Sequence, residues 1–176
     1  MGQILIEKNL VSSTDIARAM GELTTKAEEE EMLGESLVAD KIITGEQLKK
    51  AREKQKTAHQ RLTKTLTSLG FVRPEEIAKQ IGKYWGISYI SLTDFKPNPD
   101  IMQMIPEDFM RRHQLIPIKL EGNTLVVAMS DPLNIIAIDE IRLLTNYQVE
   151  IMVTTEKEIS LVLNRYFTIQ KVAREV

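Results

Sequence analysis

The 176-residue chain contains no cysteine. A disulfide framework, a thiolate nucleophile and a cysteine-based metal centre are therefore excluded. Histidine is nearly absent: His59 and His113 stand far apart, and neither falls in a metal-spaced cluster. No apolar run approaches the ~20 residues that a membrane-spanning helix needs, and no signal-peptide pattern opens the chain. A soluble, cytoplasmic protein is the expectation. Neither sign of charge is in excess, since 23 basic residues meet 25 acidic ones for a net charge of −2. General binding to nucleic acid or anionic membranes needs clustered Lys and Arg, so neither is expected. No G-x-x-x-x-G-K-[ST] loop occurs either, because Gly82-Lys83 lacks the earlier glycine and the following Ser or Thr. The chain reads as non-enzymatic.

What remains is an ordinary globular composition, 43% apolar and 27% charged, in a chain long enough for one large or two small domains. Within it one pattern appears twice in tandem. Met32 to Gln55 reads MLGESLVADKIITGEQLKKAREKQ, and Arg61 to Tyr84 reads RLTKTLTSLGFVRPEEIAKQIGKY. The copies are each 24 residues long, with the five residues Lys56 to Gln60 between them. They match in type at Leu33/Leu62, Leu37/Leu66, Ile42/Phe71, Ile43/Val72, Glu46/Glu75 and Leu48/Ile77. A weaker copy precedes both, with Gly2, Leu5, Leu10, Val11, Ile16 and Met20 at equivalent positions and Ser12, Ser13 or Thr14 as a cap.

Each copy predicts a short helix, a tight turn and a longer helix. Leu33 and Leu37, four apart, share one helical face. Lys41 in one copy and Gly70 in the other fall where the chain turns with positive φ, free of strain for glycine but not for lysine. Thr44 before Glu46-Gln47 reads as a helix cap, and Pro74 stands at an early helical position. Leu48, Ala51 and Gln55, or Ile77, Ile81 and Tyr84, then recur on one side. The acid run Glu28 to Glu31 reads as a solvated linker or as the first turn of the following helix. Lys49, Lys50, Arg52, Lys54 and Lys56 read as a solvated face.

After Trp85-Gly86 the rhythm becomes extended. Residues 87–92 predict a strand, 94–99 a connector, and 101–105 and 107–113 two short helices. Strands over 115–120 and 124–129, joined by Glu121-Gly122-Asn123, predict a hairpin. Asp131-Pro132 is read as capping a helix to about Leu144, with Asn146 as its left-handed exit. A strand over 147–153 and a helix capped at Thr155 follow, and residues after Phe167 read as a frayed helical end. Met102, Met104 and Met110 read as core filler, and His113 as a helix C-terminal residue favoured by the dipole. The fold class is α+β. A helical bundle of short-helix–turn–helix repeats over 1–86 is followed by a small αββαβα domain over 87–169 and a tail over 170–176.

The tandem pattern R-L-G-x-x-[LVI]-[LVI]-x-x-G-[LVI]-[LVI]-x4-L-x3-L-x2-Q, with its five-residue spacer, resembles that of the MshEN domain. This domain stands at the N-terminus of type II secretion and type IV pilus assembly ATPases of the GspE and PilB type. The stretch from Ile105 through the V-A-M-S-D-P run to Val153, and EKEISLVLNRYF, resemble the small α/β part of the same region. The resemblance implies a non-catalytic regulatory and docking region that couples the motor to its membrane-platform partner. The protein would then be cytoplasmic and peripheral to the bacterial inner membrane, with no cofactor required. It implies, alternatively, a sensor whose tandem motifs hold cyclic di-GMP as ligand. The residues carried over for that ligand are Leu33, Gly34, Leu37, Leu48, Gln55, Arg61, Leu62, Leu66, Gly70 and Ile77.

A tandem, pseudo-symmetric pair suits a two-fold ligand. Arginine can stack on guanine or pair with a phosphate, glycine admits a close ring, aliphatic residues give dry contact, and Gln a neutral hydrogen-bonding end. The sequence departs from the pattern at Met32 for Arg, Lys41 for Gly, Thr63 for Gly and Tyr84 for Gln. Each missing charge-assisted bond costs roughly 1.5–3 kcal/mol, so two weaken binding by about two to four decades. The competing reading makes the aliphatic positions helical core alone. A third reading of the helical hairpins as DNA readers is disfavoured by the near-neutral charge and the acid run.

Overall fold

A computed structural model describes residues 25–58 and 60–174, together with Ser12, Asp15 and Ala19. His59 and most of the first, weaker unit lie outside the described residues, although Ser12 does accept the Asp15 N–H at 3.1 Å, as a cap would. The first described element, α1 (Lys26–Ala39), begins two residues before the acid run and takes Glu28 and Glu29 into its first turn. Thr25 and Glu28 cap it reciprocally: the Thr25 N–H donates to Glu28 at 2.7 Å, and the Glu28 N–H to Thr25 Oγ1 at 3.3 Å. Those bonds from Thr25 hold the Glu28 carboxyl below its ordinary range.

The duplication is visible in the backbone. Helix α2 (Gly45–Ala58) pairs with α1, and α3 (Leu62–Ser68) with α4 (Pro74–Trp85). In the first turn, the N–H groups of Asp40, Lys41 and Ile42 donate to the carbonyls of Ser36, Val38 and Leu37. In the second, those of Leu69, Gly70 and Phe71 donate to Thr65, Thr67 and Leu66, each pair 29 residues further on. Lys41 (φ 58°) and Gly70 (φ 69°) hold the expected left-handed position. The next helix is capped alike in both copies: the Thr44 N–H donates to Gln47 at 2.8 Å, and the Arg73 N–H to Glu76 at 3.0 Å. Leu33 and Leu62, Leu37 and Leu66, Ile43 and Val72, and Leu48 and Ile77 all meet in one buried cluster. Neither hairpin could dry those leucines alone; each closes the other's core.

The chain then builds α5 (Pro99–Met102), α6 (Glu107–His113), β1 (Leu115–Glu121), β2 (Thr124–Met129), α7 (Ile135–Thr145), β3 (Gln148–Val153) and α8 (Glu156–Arg174). The sheet order is β1-β2-β3, with β1 antiparallel and β3 parallel to β2. The central β2 is buried on both faces from Leu125 to Met129. Gly122 (φ 59°) turns the β1–β2 hairpin, and Asn146 (φ 58°) ends α7. Met102 and Met110 are buried in this second core, as the filler reading expects. Together with the repeats this is the mixed α+β architecture expected.

Two local expectations are corrected. Residues 87–92 form no strand: one parallel bridge joins Tyr89 to Val153, after which the Leu92 N–H turns to the Glu158 carboxylate at 3.0 Å. That carboxylate also accepts the hydroxyls of Ser91, Thr154 and Thr155, so it takes over the pairing that a ladder would have supplied. Asp131 does not cap α7; Asn134 does, accepting the Ala137 N–H at 3.2 Å, and the helix starts three residues later than expected. Beyond Phe167 the chain is helical, as read, and α8 continues to Arg174.

The two cores meet on α4. Its Ile77 faces the repeats, Ala78 and Trp85 face the sheet, and Ile81 touches both. Gly82 allows this approach. A Cβ there would lie 2.4 Å from the Ile87 carbonyl oxygen and 3.1 Å from Val153 Cγ1.

Candidate functional site

Where α1, α3 and α4 approach the ends of β2 and β3, a cleft of about 590 Å³ opens, within the size range of small-molecule sites. Its apolar wall is built by Leu33, Ile77, Ile81, Trp85, Pro132 and Leu133, and its polar rim includes Thr63, Thr67, Ser130, Thr154 and Thr155. Four cations, Lys26, Arg61, Lys64 and Lys157, stand among four carboxylates, Glu29, Glu30, Asp131 and Glu156.

Asp131 occupies the middle of that array. Its Oδ2 accepts Lys26 Nζ at 2.9 Å and faces the Arg61 guanidinium nitrogens at 3.4 and 3.5 Å. One carboxylate from the β2–α7 loop thus reaches two cations of the helical repeats. Lys26 also approaches Glu29 at 3.5 Å. Burial pushes the Glu29 carboxyl above its ordinary range; Lys26 and Arg61 pull it down, and Asp131 adds to the rise. Glu30, half-buried, accepts Gln55 Nε2 at 2.5 Å and the Leu62 N–H at 3.2 Å. It serves α3 as a cap from another helix, since Arg61 at the N-cap uses no side-chain bond there.

Of the ten residues carried over from the motif, Leu33, Arg61 and Ile77 line the cleft. Leu37, Leu48, Leu62 and Leu66 lie inside the helical core. Gly34 is buried against that core, where a Cβ would come 2.9 Å from Leu48 Cδ1 and 3.2 Å from Leu62 Cδ2. Gly70 serves its turn with open space around it, and Gln55 is engaged by Glu30. The residues missed by sequence reasoning are Lys26, Thr63, Lys64, Trp85, Asp131 and Lys157. Thr63 was visible only as a departure from the motif. Asp131 was masked by the helix-start signal of Asp-Pro, which the real cap three residues later makes redundant.

The MshEN domain family matches residues 85–173, just over half of the chain. The chain belongs to the MshEN domain family. The match falls on the α/β part, while the likeness to solved structures covers more of the chain. The structure of MshE with cdg superposes at a TM-score of 0.67 and 30% identity, covering 76% of this chain and 97% of that one. The N-terminal domain of XpsE gives 0.62 at 21% identity over 81% and 96%, which supports the fold alone. Among curated relatives, the type IV pilus assembly ATPase PilB of Myxococcus xanthus is 35% identical over 135 residues, 77% of this chain and 24% of PilB. PilB of Thermus thermophilus is 37% identical over 119 residues, 65% and 13% respectively. This MshEN chain spans at most about a quarter of the length of these curated relatives. Its similarity is to a limited part of each pilus assembly ATPase. Among the described residues no helix is long and apolar enough to cross a membrane, and no group of His, Asp and Glu could hold a metal ion.

Proposed function

We propose that this MshEN domain is a non-catalytic docking and regulatory region of a type IV pilus or type II secretion ATPase, coupling the motor to an inner-membrane platform protein. The observation that carries the reading is the outer face of α7. Ile136 is 71% exposed, Leu143 84% and Leu144 54%, while Ala137, Ile138 and Ile141 fill the core from the other face. Ile136 and Leu143 lie seven apart and so share a stripe. Bare aliphatic side chains clustered on one helix are what a partner surface requires. Capture of the full chain by the cytoplasmic part of the platform protein tests this. The double variant Ile136→Asp, Leu143→Asp should lose capture at least tenfold while melting as before; unchanged capture overturns the reading.

A second reading rests on Arg61. It is the surviving motif arginine, it lines the cleft, and it shares that cleft with Leu33 and Ile77 from both copies. Together with the similarity to MshE, solved with cdg, this supports a cyclic di-GMP sensor. Calorimetric titration with cyclic di-GMP, with GTP as control, should give heat that Arg61→Ala removes and Thr63→Gly strengthens. No heat at high ligand ends it.

A further inference from the structure

The exposed ridge of α7 is not purely aliphatic. Glu140 lies four residues beyond Ile136 and three before Leu143, so it shares their face, and Leu144 lies four beyond it. Glu140 is exposed and makes no hydrogen bond or ion pair among the described residues. Its neighbour Asp139, by contrast, is answered by Arg142 at 3.4 Å. A carboxylate without a cation of its own thus stands between three aliphatic side chains that are each more than half exposed.

In the free chain water solvates that carboxylate. A docked partner removes the water, and a carboxylate left uncompensated at an interface costs more than a few aliphatic contacts gain. Resting on the docking reading above, we propose that an amphipathic helix of the platform protein seats on α7. It carries a Lys or Arg between aliphatic residues, and that cation pairs with Glu140. The ridge from Ile136 to Leu144 is about 12 Å long, at about 1.5 Å per residue, and it is convex. Another helix laid along such a ridge brings its own aliphatic stripe into contact over about two turns. The apolar stem of the Lys or Arg covers Leu143 and Leu144 while its head reaches the carboxylate. The pair fixes the register of the two helices, and a surface without a cation at that point is rejected. Anionic lipid is excluded as the occupant for the same reason.

Capture of the full chain by the cytoplasmic part of the platform protein, read by biolayer interferometry at low and high salt, tests the pairing. The deciding variant is Glu140→Leu, which completes the aliphatic ridge. A wholly apolar partner binds it more tightly than wild type. A partner with a cation binds it more weakly, by about tenfold or more, because that cation loses its counter-charge. Glu140→Lys should weaken capture further, and reversing one Lys or Arg of the partner to Glu should restore it. Glu140→Gln should weaken capture and flatten its salt dependence. Because Glu140 is exposed, each variant should melt as wild type does. Loss of capture in Ile136→Asp, Leu143→Asp together with equal or tighter capture of Glu140→Leu overturns the cation and leaves the docking reading standing. Capture that is indifferent both to Ile136→Asp, Leu143→Asp and to every change at Glu140 overturns the docking reading and the pairing with it.

Discussion

Replacing Gly82 by alanine sets local propensity against tertiary packing, and the two disagree in sign. Gly82 lies inside α4, an interior position at which alanine is favoured by about 1 kcal/mol on backbone entropy alone. Helix propensity therefore predicts a more stable protein. The structure predicts the reverse. A Cβ at Gly82 would stand 2.4 Å from the Ile87 carbonyl oxygen, where real Cβ contacts essentially never fall below 3.0 Å. The backbone must yield by at least the difference, 0.6 Å.

Little around it can yield. The Ile87 N–H is bonded back to the Gly82 carbonyl at 2.8 Å, and the Ile87 side chain is 3% exposed. On the other side, Val153 Cγ1 at 3.1 Å belongs to a fully buried residue tied to both β2 and Ser88. Overpacking of this kind costs about 1–3 kcal/mol, more when backbone rather than a side-chain end must move. After the propensity gain, a net loss of about 2 kcal/mol is expected, equivalent to roughly 5 °C in a chain of this size. Gly45→Ala is the matched control, because nothing lies within 4 Å of its Cβ and α2 begins there; it should leave stability unchanged or raise it by a few tenths of a kcal/mol. Urea unfolding followed by circular dichroism reads both variants. Equal or greater stability of Gly82→Ala would refute the close docking of α4 against residues 86–88.

Two further outcomes follow from the repeats and from the Glu158 clamp. Lys41→Gly should stabilise the chain by about 0.5–1 kcal/mol and Gly70→Ala destabilise it by about the same, since both positions are left-handed and only one carries glycine; thermal melts of the two variants check the opposite signs. Burial raises the Glu158 carboxyl, but hydrogen bonds from Ser91, the Leu92 N–H, Thr154 and Thr155 outweigh it, leaving the carboxyl below its ordinary range. A depressed carboxyl stabilises above its unfolded-state value and loses that contribution as pH falls through the folded-state one. Glu158→Gln should therefore be less stable than wild type by about 2 kcal/mol at pH 7, with the two urea midpoints converging below about pH 4. A gap that stays constant down to pH 3 would contradict the clamp.

The duplication was legible because its signals are local. Leucines spaced four apart, a turn position held by Gly70 and Lys41, and a cap–acid spacing at Thr44 and Arg73 each act within one helical hairpin. Copying them 29 residues on copies the same three turn hydrogen bonds. The sheet was legible for a similar reason, since Gly122 sits between two apolar runs that can only close as a hairpin. What misled were signals with two physical outlets. Residues 87–92 have the composition of a strand, but the Glu158 carboxylate, 66 residues away from Leu92, takes the N–H that a ladder needs. Asp131-Pro132 has the form of a helix start, but Asn134 competes for the role and wins, leaving the aspartate to reach across to Lys26 and Arg61. Glu30 was read with its neighbours as a solvated linker or a first helical turn, yet it is half-buried as the cap of a helix 32 residues on. None of these choices is visible without the tertiary contact that decides it.

The same contrast explains why the two motif copies are equivalent in backbone and unequal at the cleft. Met32 and Arg61 occupy matching positions, but Met32 packs against the sheet core while Arg61 opens onto the cleft. Met32, partly buried, spends its side chain on that apolar contact, and no cation stands at the first motif position of this copy. Gly34 and Thr63 divide in the same way. The glycine is filled in by Leu48 and Leu62 of its own fold, whereas the threonine lines the cleft, where its hydroxyl is of use. A two-fold ligand would therefore meet two different halves, one apolar and one cationic. The cationic half is the one that Asp131 holds. Beside Lys26 and Arg61, the wall of the cleft is formed by Ile77, Ile81 and Trp85. Of the two motif arginine positions, only the second opens onto the cleft.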